Sequence, residues 1–319
     1  MPILIFIGLL AIGFVLLIKG ADYLVDGSAS LAARLSVPDL VIGLTVVSFG
    51  TSSPELVVNV FANIQGNADL SFGNIIGSNI TNTLLILGIA GIIYPLKTEK
   101  NTVWREIPFS FLSVIVLLVL VNDLIFDSGA NVLSRNDGVI LLLFFLVFIV
   151  YTFGITKIEL DDEHDVDKLS NIKTIIYILI GLVGLGIGGK LVVDNAVKMA
   201  EFFGLSQKII GLTIVAIGTS LPELVTSAMA AYKRKSDIAI GNVIGSNIFN
   251  IFLVLGISAL IAPLPFAMTL NVDIMVLIAA STFLFISMFT GGVRVLDRWE
   301  AILLLIMYVG YMVFLLIRR

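Results

Sequence analysis

Ten apolar runs divide this chain and leave it few possible folds. They lie at roughly 3–33, 37–64, 70–94, 106–126, 136–155, 172–203, 206–232, 238–262, 268–290 and 298–317. Each is long enough to cross a hydrocarbon core about 30 Å thick as a helix. Inside a bilayer the backbone must satisfy its own hydrogen bonds, so a spanning segment is either a helix or part of a closed barrel. A transmembrane strand needs only about 9–11 residues, so runs of this length choose the helix. The composition agrees: 58% of the residues are hydrophobic and 13% charged, where a soluble domain carries about 25% charged. The first run has neither a basic leading region nor a small-residue cleavage site, and is read as a retained helix. There is no cysteine, which excludes disulfides and thiolate metal sites.

The basic residues sort by loop. With ten spans the loops alternate sides. One set carries Arg34, Lys97, Lys100, Arg105, Lys157, Lys168, Lys173, Lys233, Arg234, Lys235, Arg294 and Arg298, and the other only Arg135, Lys208, Arg318 and Arg319. Basic loops stay in the cytoplasm. Both termini are therefore expected on the outer side of a cell (plasma or inner) membrane.

The chain also repeats itself. Displaced by 168 residues it lies on its own second half without a gap, and Glu55 falls on Glu223. IGLTVVSFGTSSPELV meets IGLTIVAIGTSLPELV, and GNIIGSNITN (73–82) meets GNVIGSNIFN (241–250). About half of residues 41–90 are identical to 209–258. Such internal repeats govern the reading of everything else. Five spans separate a motif from its copy, and five is odd, so the copies are expected to cross the membrane in opposite directions. Inverted repeats build transporters whose sites lie near the midplane. The expected architecture is all-α and polytopic, with ten transmembrane helices in two inverted five-helix repeats, 1–155 and 172–319. The linker between them, 156–171, is acidic and cytoplasmic. It lacks the glycine and the ligand spacing of an EF-hand loop, and is read as a solvated connection.

The polar residues kept in both copies carry the chemistry. Pro54 has no N–H and clashes with the carbonyl of Gly50, and Pro222 stands in the same relation to Gly218, so the second and seventh helices should break at mid-membrane. Gly50 is expected to supply unusual backbone angles at the break. Glu55 and Glu223 stand inside these spans, where an acid costs at least ~2.5 kcal/mol and is a functional candidate by default. No Lys or Arg lies in the matching stretches to neutralise them, which leaves a bound cation or protons. Ser78 and Asn82, like Ser246 and Asn250, are four apart and share a helix face. Gly73, Gly77, Gly241 and Gly245 should let these helices approach a neighbour closely. Carboxylates, amides, hydroxyls and freed carbonyls make an all-oxygen pocket suited to a hard cation such as calcium. The single histidine, His164, lies in the linker, so neither a histidine metal site nor a serine nucleophile with a histidine base is expected. The chain is not expected to be an enzyme or to need a cofactor.

The doubled GTSxPE and GNxxGSNxxN segments resemble the paired alpha repeats of the cation/calcium antiporter superfamily, in its prokaryotic sodium/calcium exchanger branch. The family's ten-helix plan covers essentially the whole chain. The resemblance implies one calcium site and up to three sodium sites at the centre. It implies Glu55 and Glu223 as shared acidic ligands, oxygen from Thr51 and Thr219, and sodium sites lined by Ser52, Ser220, Ser78 and Ser246. It also implies that Asn82 and Asn250 close the central group, and that the carbonyls of Ser48 and Ala216 ligate sodium. The first and sixth helices are expected to slide across the rest. Asn250 is an aspartate in some relatives, and two amides here lean away from potassium dependence and keep proton exchange as the alternative. The implied partners are sodium and calcium ions, as transported species, and the lipid bilayer, with no nucleic acid and no protein.

Overall fold

The computed structural model describes residues 2–100, 102–123, 131–155, 169–203 and 216–318. Two long helices, α1 (Pro2–Leu35) and α7 (Asn171–Phe202), lie side by side. Their seam is backbone on backbone. A Cβ added at Gly20 would sit 2.8 Å from Leu185 N and 2.9 Å from Gly181 O, and one at Gly188 would sit 2.8 Å from both Gly13 O and Leu17 N. Small residues at such a seam let two membrane helices approach where larger side chains would hold them apart. Their other faces expose Leu4, Ile12, Val15, Ile175, Leu179 and Val183, the apolar surface a bilayer requires.

The expected break is present. Helices α2 (Asp39–Thr51) and α3 (Ser53–Ile64) meet at Ser52 with a bend of 45°. Pro54 sits in the first turn of α3, where its missing N–H costs nothing. The role expected of Gly50 is corrected. Its φ is not positive, and what it supplies is space, because a Cβ there would collide with the side chain of Leu182 on α7. Gly218 does the same against Val193. Beyond a short turn at Ala216–Gly218, Pro222 opens α8 (Leu221–Tyr232) in the same way.

Helices α4 (Ala68–Ile93) and α9 (Ser236–Ile261) form the centre. In each, 78% of the most apolar stretch is buried within the protein, against 22–39% for the other spans. Each contains a wide π-helical stretch, Thr81–Ile86 in α4 and Phe249–Leu255 in α9, beginning at equivalent positions of the repeat. Around them stand α5 (Thr102–Leu120), α6 (Arg135–Ile155), α10 (Asn271–Ser287) and α11 (Arg298–Ile317).

Eight helices among the described residues are long and apolar enough to cross a membrane, and α2 with α3 makes a ninth span if the bent pair is counted as one. The seventh expected run, 206–232, is described only from Ala216, so its first part, with Lys208, lies outside the described residues, as do His164 and most of the 156–171 linker. The fourth run stops short of its expected end, since α5 finishes at Leu120. The all-α expectation also needs a small amendment. Strand β1 (Leu96–Lys97) pairs antiparallel with β4 (Val295–Leu296), and β2 (Val132–Leu133) with β3 (Leu264–Pro265).

These ribbons help to sort the connections into two groups. In one, β1 meets β4, Lys235 pairs with Asp39 at 3.1 Å, and Arg34 donates to Asn171. In the other, β2 meets β3, Asn63 donates to the carbonyls of Ser258 and Ala262, Asn122 and Asn271 bond reciprocally, and Arg318 pairs with Asp273 at 3.1 Å.

Candidate ion-binding site

The breaks after α2 and before α8 bring the two GTSxPE segments against the middles of α4 and α9. Glu55 and Glu223 are each 1% exposed. Ser52 donates its hydroxyl to Glu223 Oε1 at 3.1 Å. Its repeat partner does not mirror this: Ser220 donates to Ser78 Oγ at 3.2 Å, and neither oxygen of Glu55 accepts a hydrogen bond of normal geometry. Thr51 and Thr219 do act alike, donating to Asn242 Oδ1 at 3.0 Å and Asn74 Oδ1 at 3.4 Å.

The two central helices are cross-tied by asparagines. Asn82 Nδ2 donates to Asn247 Oδ1 at 3.1 Å, and Asn250 Nδ2 donates to Asn79 Oδ1 at 2.9 Å. Asn79 Nδ2 reaches the carbonyl of Asn247, whose own Nδ2 donates to Thr83 Oγ1. With the nitrogens of Asn82 and Asn250 engaged, their oxygens are left over. Among the described residues, Glu55 Oε1 and Oε2, Glu223 Oε2, Asn82 Oδ1, Asn250 Oδ1 and Ser246 Oγ are buried oxygens with no hydrogen-bond partner. An unsatisfied buried polar group costs about 1–3 kcal/mol, and more when charged, so this concentration is expensive for the protein alone. Oxygens of this kind are what a hard cation takes as ligands, six to eight at a time. Among the described residues there is no cluster of three or more His, Cys, Asp and Glu, so amides and hydroxyls would complete any shell around the two carboxylates.

One position departs from the simple picture. The carbonyl of Ser48 already accepts the Ser52 N–H at 2.9 Å and the Thr51 hydroxyl at 3.3 Å, while Ser48 Oγ donates back to Leu44 O. Any cation at that carbonyl shares it with these donors. A Cβ at Gly241 would meet Leu40 O at 2.9 Å, and one at Gly245 would meet Leu44 O at 2.8 Å, so α9 packs tightly on α2 as expected. Gly73 and Gly77 line a cavity of about 340 Å³, and residues 208 and 212, the equivalents of Leu40 and Leu44, lie outside the described residues. The sequence reading singled out neither Asn79 and Asn247 nor Asn74 and Asn242. All four are identical between the copies, the same signal that exposed the glutamates.

The sodium/calcium exchanger protein family matches residues 5–154 and 173–317. The sodium/calcium exchanger MaX1 of Methanosarcina acetivorans is 36% identical over 345 aligned residues, covering 96% of this chain and 97% of its own length. The inner membrane protein YrbG of Escherichia coli (strain K12) is 38% identical over 80% of this chain and 79% of its own. Among solved structures, the sodium-calcium exchanger NCX_Mj superposes with a TM-score of 0.84 at 34% identity, covering 98% of this chain and 99% of that one. The fold, the buried oxygen cluster and these likenesses lead to one assignment: the chain is a polytopic membrane transporter that belongs to the sodium/calcium exchanger family of cation/calcium antiporters.

Proposed function

We propose that this chain exchanges external sodium for internal calcium by alternating access, with three sodium ions moving per calcium. The observation that carries the reading is the set of buried oxygens on Glu55, Glu223, Asn82, Asn250 and Ser246 that have no partner among the described residues, none of whose lysines or arginines is bonded to either glutamate. Glu55 and Glu223 hold calcium between them and share it with the amide oxygens of Asn82 and Asn250. Ser52, Ser220, Ser78, Ser246, Thr51 and Thr219 line flanking sodium sites, with the carbonyls of Ser48 and Ala216 at their edges.

The ratio follows from the work required. A tenfold gradient is worth about 1.4 kcal/mol per monovalent ion, and a charge crossing 100 mV is worth about 2.3 kcal/mol. Two sodium ions per calcium supply about 2.8 kcal/mol and hold roughly a hundredfold calcium gradient. Three supply about 6.5 kcal/mol, counting the one net charge moved, and hold roughly 10⁴–10⁵. Only three keep cytoplasmic calcium submicromolar. The test is calcium uptake into proteoliposomes under an imposed sodium or proton gradient. Uptake driven by sodium and accelerated by a membrane potential supports the reading. Uptake driven by protons and indifferent to sodium overturns it in favour of calcium/proton exchange, the alternative that amides at both 82 and 250 leave in place.

The two five-helix halves, 1–155 and 172–319, form an inverted pair joined by a cytoplasmic linker at 156–171, with both termini outside. Support comes from the equivalent turns 65–67 and 233–235. Asn63, beside the first, bonds Ala262 in one group of connections, while Lys235 in the second bonds Asp39 in the other. The basic KRK at 233–235 replaces the neutral QGN at 65–67, as opposite orientation demands. Single cysteines at Asn67 and Lys235 should react with a membrane-impermeant reagent from opposite sides. Reaction of both from one side would remove the inversion.

Asn250→Asp should change ion preference more than folding. It places a third carboxylate where an amide oxygen now stands without a partner, and that carboxylate is a new group over which protons and cations compete. Calcium transport by the variant should show a steeper pH dependence than the native protein's. An unchanged profile would mean that residue 250 does not face the transported ion.

A further inference from the structure

The three basic residues of the turn between α8 and α9 each hold a different element of the other half. Lys233 Nζ lies 2.6 Å from Asp22 Oδ1 and 2.6 Å from Asp26 Oδ1, both on α1, and also donates to the Asp22 carbonyl. The Arg234 guanidinium sits 5.8 Å from the ring centre of Tyr94, at the end of α4. Lys235 Nζ pairs with Asp39, the first residue of α2, at 3.1 Å. Burial works against the Lys233 ammonium, but the hydrogen bonds and charges of Asp22 and Asp26 outweigh it and hold its pKa above the usual lysine value. Arg234 has a φ of +60°, a left-handed conformation that costs a side-chain-bearing residue about 1–2 kcal/mol. The equivalent residue of the other turn is Gly66, with φ +74°. The second half thus keeps a strained arginine where glycine would sit freely.

The equivalent turn on the other side holds nothing comparable among the described residues. Asn67 caps its own helix by accepting from Leu70 N. Asp194, the repeat partner of Asp26, pairs within α7 with Lys190. The interior beneath the basic turn is packed. Beneath Lys233–Lys235 the α2/α9 seam is closed at Gly241 and Gly245, and Ala230, Ala231, Ile238 and Ala239 are fully buried.

We propose that the Lys233–Arg234–Lys235 turn is a one-sided clasp, which ties α1, α2 and the end of α4 to the α8–α9 hairpin and holds the route to the ion pocket shut on that side until its ion pairs part. The proposal rests on the alternating-access reading but not on which ion drives it. The test is the reactivity of one buried cysteine. Ala231→Cys, in the otherwise cysteine-free chain, is exposed to a membrane-impermeant maleimide on the Lys233–Lys235 face of oriented vesicles. The clasped protein should react slowly. Adding Lys233→Gln should raise the rate at least tenfold, and so should Asp22→Asn with Asp26→Asn, which breaks the same pairs from α1 and leaves the turn intact. Gln65→Ala, at the position equivalent to Lys233, should leave the rate unchanged. Unchanged labelling in the double aspartate variant overturns the clasp, and that variant decides alone if Lys233→Gln does not yield monodisperse protein. A proton-driven exchanger would overturn the sodium reading yet still show the labelling difference. A clasp failure would leave sodium-driven uptake as it stands.

Discussion

Glu55→Gln and Glu223→Gln are each expected to cut calcium exchange by at least ~100-fold while the protein still folds. Two unit charges 4 Å apart attract by about 4 kcal/mol at an effective dielectric of 20, and a divalent ion doubles this. Even if half is lost to rearrangement of the shell, the remaining ~4 kcal/mol is roughly three orders of magnitude in affinity. Glutamine keeps the shape and one oxygen, so the pocket is not left void. The folding readout separates this role from a structural one. Breaking a buried ion pair destabilises by about 3–5 kcal/mol, because one charge is left uncompensated. Among the described residues, however, neither oxygen of Glu55 accepts a hydrogen bond of normal geometry, and Glu223 accepts only the Ser52 hydroxyl. Removing either charge should therefore leave the melting temperature of ion-free protein unchanged or raised, while abolishing its rise on adding calcium. A variant that transports calcium at the native rate would show that the carboxylate is not a ligand. A large loss of ion-free stability would show that it is a structural partner instead.

How far this could be read from the chain depended on what each feature does to the residue pattern. Apolar runs mark membrane helices because the bilayer taxes every polar residue along them, and Pro54 marks the break after Ser52 because it removes a backbone donor. The carboxylates stood out because an acid in an apolar run has no cheap explanation. The asparagine ties were visible but unread. Asn79 lies one residue, about 100°, from Ser78, so a helix-face reading centred on Ser78 and Asn82 turns it away from the pocket. It then meets the other half across the molecular centre, a contact that no one-helix pattern encodes. The π-helical stretches at Thr81–Ile86 and Phe249–Leu255 were hidden for a related reason. One widened turn shifts the faces of a helix that is 78% buried, and a helix apolar on every side has no polar stripe to reveal the shift.

Gly20→Ala should destabilise this protein, although glycine to alanine inside a helix normally stabilises by about 0.5–1 kcal/mol. The sign is set by the seam between α1 and α7. A Cβ at Gly20 would lie 2.8 Å from Leu185 N, 2.9 Å from Gly181 O and 3.0 Å from the Gly184 carbonyl carbon, all backbone atoms that no rotamer change can move. The helices must separate, and forcing extra methyl groups into a packed interface costs about 1–3 kcal/mol. Gly20→Val adds two more carbons at the same point and is expected to lower calcium exchange at least tenfold. It wedges α7 away from α1 and so displaces Leu182 and Val193, the α7 side chains that pack over Gly50 and Gly218 at the two breaks beside the glutamates. Gly8 is the internal control, on the same helix with nothing among the described residues within 4 Å of its added Cβ. Gly8→Ala and Gly8→Val should transport normally, the alanine variant being as stable as the parent or more so. The measurements are the fraction of monodisperse protein surviving a heat step and calcium uptake into proteoliposomes. If Gly20→Ala survives heating as well as Gly8→Ala, the two long helices do not meet backbone to backbone in the membrane. If Gly20→Val keeps full exchange, their close packing is not what positions the breaks around Glu55 and Glu223.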